Sequence, residues 1–240
     1  MRSLTTLLNN TRLELVKLVT ARGSAAVLLS GLLIILVVSI GAPLLTAVQG
    51  RGDGYAEALL VGAFPLTIIG PIVGALVVTP GWQYRDNSTY FIVAPSRVSH
   101  LVAQFLASIA CALAMSAVAL IAGITTSGLL AMTQGSGLPD VASPVGVTVA
   151  LGVTSTIAGV AMASVLLSLP LTLVFILVQT LVLDPVLSFA PDWGVYFQGS
   201  ALASALIGEG PAVAGISSGI VWILLPAALG FVRQRQYDVH

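Results

Sequence analysis

The chain has 240 residues, 57% of them hydrophobic and 8% charged, and a formal net charge of zero. Soluble domains carry roughly a quarter of their residues as charges, and one water-soluble core in a chain this long cannot hide so much apolar surface. With a mean hydropathy of +1.05, the composition defines an integral membrane protein. The balanced charge excludes a general attraction to nucleic acid, and the lone cysteine, Cys111, excludes an intrachain disulfide or a cysteine-based metal cluster.

Near the N-terminus, Thr11-Arg12-Leu13-Glu14 has the capping-box pattern and predicts a helix start. The helix that follows sets a polar wedge (Glu14, Lys17, Ala21) opposite an apolar face (Leu15, Val16, Val19). That pattern predicts an interfacial helix lying in the membrane plane before the chain turns in at Gly23; a frayed tail is the alternative. The first apolar run, Ala25–Ala47, is longer than the roughly 7–15 residues of a secretory signal core and predicts a retained span.

Six runs are long enough to cross a hydrocarbon core of about 30 Å as helices. They are Ala25–Ala47, Ala58–Thr79, His100–Ile124, Pro144–Leu166, Leu169–Phe189 and Ala212–Val232. Alternation at period two is absent and the runs are about twice the length of a barrel strand. The expected fold class is therefore an all-α integral membrane protein, one transmembrane domain over residues 1–240. The fourth and fifth runs form a tight hairpin broken near Pro170. Gly70 and Gly74, Gly215 and Gly219, and the Ser155, Gly159, Ala163 series permit close helix contact. Packing within one subunit and dimerisation are both open to them.

With the N-terminus cytoplasmic, Arg2, Arg12, Lys17, Arg22, Arg85, Arg97, Arg233 and Arg235 lie inside and only Arg51 outside. The excess of basic residues on one side predicts both termini in the cytoplasm. The longest cytoplasmic loop is then 80–99, within the stretch GWQYRDNSTYFIVAPSRVSH, whose aromatic residues and arginines are interface-forming types; anchoring at the inner headgroups is the bland alternative. On the other side, 190–211 is too polar and too often interrupted by Gly and Pro to span. It holds Trp193, Tyr196 and Phe197, which favour headgroup level, and predicts a re-entrant or surface helix, an ordinary loop being the alternative. Asp184 lies about 22 Å of helix rise beyond Leu169, near the outer end of the fifth run, and Pro185 predicts a kink. An acid at that depth is either functional or an interfacial helix end.

The missing chemistry narrows the function. Lys17 is the only lysine and does not sit in a GxxxxGK[ST] phosphate loop. The two histidines, His100 and His240, form no HExxH motif. No nucleophile–base pair or metal-ligand cluster can be drawn, so no catalytic residue, cofactor or metal is expected. Apart from Asp184, the six runs hold no Lys, Arg, Asp or Glu, which leaves no deep ion-coupling site. If the chain transports, its energy comes from another protein docked on the cytoplasmic face.

At this point the layout resembles an ABC transporter permease of the type 2 export family, most nearly the small permeases of the bacitracin-resistance kind. Gln83-Tyr84-Arg85 stands where those permeases often have Glu-Tyr-Arg, and Ala94-Pro95-Ser96-Arg97 resembles their Thr-Pro-x-x-Arg. Asp184-Pro185 resembles an acid-Pro pair ending their fifth span, and GSALASALIG a small-residue stretch before their sixth. The resemblance implies a subunit without ATPase activity of its own, in the cytoplasmic (inner) membrane. It implies a separate ABC ATPase subunit in two copies, a second permease subunit, contact with membrane lipid, and export of an amphipathic or hydrophobic compound. Trp82, Gln83, Tyr84, Arg85 and Arg97 would couple to the ATPase, Gln83 departing from the family acid. Gly70 and Gly74 in span two and Phe175, Val178 and Asp184 in span five would line the path. An ATP-independent transporter or channel, or a non-transporting scaffold, is the alternative.

Overall fold

The computed structural model describes residues 2–50, 55–83, 97–135, 142–190, 192–208 and 210–236, and every regular element among them is a helix. An N-terminal helix, Arg2–Thr20, precedes six helical segments long and apolar enough to cross a membrane. These are Arg22–Val48, Tyr55–Trp82, Val98–Gln134, Ala142–Leu166, Leu169–Ser188 and Ala212–Gln234, called spans one to six. One end of the bundle carries the N-terminal helix; the other carries the short helices between spans five and six.

The N-terminal helix starts well before the expected capping box. Thr11 lies inside it and returns its Oγ1–H to the Leu7 carbonyl at 3.0 Å, the usual fate of a mid-helix threonine. Span two is two helices, Tyr55–Ala63 and Pro65–Gln83, meeting at Phe64. Pro65 lacks an N–H and disfavours helical backbone at the residue before it. Span three outlasts its predicted end. Thr125 and Thr126 bond back to the Ile121 and Ala122 carbonyls, so the helix continues to Gln134 and stops at Gly135, whose φ of +67° suits glycine. Its 38 residues make a rod of about 57 Å. Tyr55 Oη donates to Gln134 Oε1 at 2.8 Å and ties the far end of that rod to span two.

Span two is the centre of the bundle, with 72% of its most apolar window buried, and span five is the edge, with 6%. The core joins Ile35 of span one, Leu66, Ile69 and Val73 of span two, and Met115 and Ala119 of span three. Between apolar helices in lipid, attraction comes from close packing and interhelical hydrogen bonds, and spans two and four use both. Ser155 Oγ donates to the Leu66 carbonyl at 2.9 Å, while Gly74 lies against the backbone of Thr156 and Val160, and Gly159 against that of Pro71. The turn between spans four and five falls at Leu167, whose φ is +53°, and at the extended Ser168. Pro170 sits in the first turn of span five, where a proline costs no hydrogen bond. The Arg233 guanidinium donates to the Val165 carbonyl and caps the end of span four.

Candidate functional site

Two polar clusters stand out from this apolar frame, one at each end. At the first, the N-terminal helix buries Asn10, Glu14 and Leu18, spaced four apart on one face. Its apolar residues Leu8, Val16 and Val19 are exposed. The pattern makes sense because the partner surface is polar: span three opens with His100, Gln104 and Ser108, also four apart and all buried. Asn10 Nδ2 donates to Ser99 Oγ at 3.4 Å, and His100 Nδ1 lies 3.7 Å from Glu14 Oε1. Gln104 Nε2 is 3.2 Å from His100 Nε2, and Ser108 Oγ donates to the Gln104 carbonyl. Lys17 Nζ reaches Glu14 Oε1 at 3.1 Å from a more exposed position. Burial pushes the Glu14 carboxyl above its ordinary 4.5, and the Lys17 ammonium pulls it back part of the way.

This cluster lies at the root of the loop expected to couple. Trp82 is half-buried against Val78, Val160 and Ala163, beside Phe105 and Leu169. Gln83 ends the second helix of span two and Arg97 begins span three. Tyr84 and Arg85 lie outside the described residues. Span three therefore carries both the downstream end of the loop and the seat of the N-terminal helix.

The second cluster surrounds Asp184. Its Oδ1 accepts from the Gly199 N–H and its Oδ2 from the Ser200 N–H, both at 2.8 Å. The segment it holds contains a 3₁₀ turn, Gly194–Phe197, and a short helix, Ala201–Leu206, so the region before span six is helical. From span six, Trp222 Nε1 donates to the Phe197 carbonyl at 2.9 Å and Ser217 Oγ to the Tyr196 carbonyl at 2.9 Å. Trp193, Tyr196 and Phe197 remain largely exposed. A shallow groove of about 500 Å³ runs beside them, lined by Leu187, Ser188, Asp192, Val195, Tyr196 and Gln198.

The expected path residues do not share one surface. Gly70 and Gly74 are closed off by span four; a Cβ on Gly70 would sit 3.0 Å from Thr156 Oγ1. Val178 is exposed on span five, and Phe175 meets the Trp222 ring at a centroid distance of 6.1 Å. Sequence reading missed Asn10, His100 and Gln104; their spacing of four, facing the same spacing across the contact, is the signal that would have found them.

Six apolar spans in an all-helical fold make this chain an all-α, multi-pass membrane protein. No protein-family model matches the chain, and no curated protein does.

Proposed function

We propose that the chain is the membrane subunit of an ATP-driven exporter. It works with a separate ABC ATPase subunit in two copies and a second permease subunit in the cytoplasmic membrane. The N-terminal helix and the loop 80–99 face the cytoplasm, where the basic residues gather. The observation that carries the reading is the joint at that end. A helix lying apart from the spans is seated by buried polar contacts on span three, the helix into which the aromatic, arginine-bearing loop runs. A push on the loop is thus delivered to a rigid rod and not lost in a flexible connection. The bare span five supports a second permease subunit at that edge. The mixed polar and apolar groove beside the outer helices suits an amphipathic cargo better than a free ion.

The test is reconstitution with the ATPase subunit that co-purifies from the native membrane. Arg85→Glu with Tyr84→Ala should weaken that association about 30-fold or more, since an interface anchor is worth about 2 kcal/mol, and leave insertion intact. Absence of any ATPase partner, or an unchanged association constant in the double variant, overturns the reading.

A further inference from the structure

Among the described residues, π turns occur in two places, Gln179–Leu183 in span five and Ile220–Leu224 in span six. Both stop just short of a proline. The Asp184 N–H reaches back five residues to the Gln179 carbonyl, and Pro185 follows. The Leu225 N–H reaches back to Ile220, and Pro226 follows. A proline in a helix has no N–H to give, and its ring collides with the carbonyl four residues back. A turn widened by one residue relieves that collision.

Each widened turn also holds the segment between the spans. Asp184, whose N–H closes the first π turn, grips Gly199 and Ser200 with its carboxylate. Trp222, in the middle of the second, holds the Phe197 carbonyl. The Gln179 amide lies against Gly199, so a Cβ there would have to push that side chain aside. The Phe175–Trp222 ring contact joins the two spans at the same level.

We propose that the two π turns and the segment 194–206 form one conformational device, a strap clamped across spans five and six while the turns are π and released when either becomes α. The geometry sets the size of the step. Converting a π turn to an α turn moves everything beyond it by one residue, a rotation of about 100° and a shift of about 1.5 Å. Asp184 or Trp222 then faces away from the backbone it holds. The proline supplies the opposing force, because the α form brings back the collision. The strap borders the groove lined by Tyr196 and Gln198, so its release reshapes that groove. Only this last consequence, control of the way out of an exporter, rests on the transport reading.

The experiment uses the full chain in lipid nanodiscs, with Cys111→Ser and nitroxides at Ala203→Cys and Met132→Cys. Asp184→Ala removes the clamp, and Pro185→Ala restores an N–H so that span five can run as uninterrupted α-helix. Both are expected to shorten the rotational correlation time at position 203 and to add a second, broader distance population. Retention of the helical circular dichroism spectrum controls for folding. A single, wild-type distance in both variants overturns the proposal. So does release by Asp184→Ala with none by Pro185→Ala, since the clamp would then be independent of the turn. The readout needs no ATPase subunit, so the transport reading and the strap stand or fall separately.

Discussion

Gly74 offers the sharpest quantitative check on how the bundle holds together. A Cβ added there would lie 2.8 Å from the Val160 nitrogen and closer still to the Thr156 carbonyl oxygen. Both obstacles are backbone, so no side chain can swing aside. Spans two and four must part until the contact reaches the ordinary range, which begins at 3.4 Å. Overpacking of this kind costs about 1–3 kcal/mol. The separation also stretches the Ser155–Leu66 hydrogen bond, worth about 0.6–1.7 kcal/mol in a membrane helix pair. Against this, alanine gains up to about 1 kcal/mol of helix propensity over glycine. Gly74→Ala is therefore expected to lose about 1–3 kcal/mol net, and Gly74→Leu to leave little folded protein. Gly146→Ala on span four, where nothing lies within 4 Å of the added carbon, is expected to be neutral or to gain up to about 1 kcal/mol. Reversible unfolding in mixed micelles, followed by tryptophan fluorescence, measures both. Equal stability of Gly74→Ala and Gly146→Ala would refute the close-packing account.

Seating of the N-terminal helix should depend on pH. The folded Glu14 carboxyl is held above its ordinary 4.5, so its own contribution to seating is full below that value and is lost as pH rises through the raised one. Hydrogen exchange of residues 7–18, corrected for intrinsic rates, should show opening of the wild type speeding up relative to Glu14→Gln as pH rises from below 4.5. Orientation is checked by labelling in intact cells of the Cys111→Ser background. A cysteine at Gln134 should react from outside and one at Ser88 only after permeabilisation; the reverse pattern would invert the topology.

The spans were legible because an apolar run of some 20 residues has few other uses, and the structure moves their ends mainly by capping and turn chemistry. Span three is the largest change. Its extension from Ile124 to Gln134 depends on hydroxyls satisfied within the helix, which hydropathy alone cannot credit. The sequence also distinguished the two faces of the N-terminal helix but not which one docks. Amphipathicity assigns the polar face to water only when the neighbour is apolar, and here His100 and Gln104 present a polar neighbour. That Pro185 disturbs span five was readable from one residue, though the disturbance is a π turn before it. The clamp was not, because Asp184 finds its partners 15 and 16 residues away, across a turn whose path no local pattern specifies. The fold separates Gly74, sealed inside, from Val178, exposed outside, because spans two and five hold central and edge positions within one chain.

The polar seat of the N-terminal helix has a consequence for the order of assembly at the ribosome. Asn10 is synthesised 89 residues before the Ser99 it bonds, and Glu14 long before His100. Spans one and two, which meet this helix through its apolar Leu15 and Leu18, must be inserted while its polar face still has no protein partner. During that interval Leu8, Val16 and Val19 can rest among lipid headgroups, leaving Asn10 and Glu14 in water. When span three arrives, the lipid-facing side need not move, and only the polar side exchanges water for protein. A nascent chain arrested before residue 99 should therefore hold this helix on the membrane with its polar side unseated.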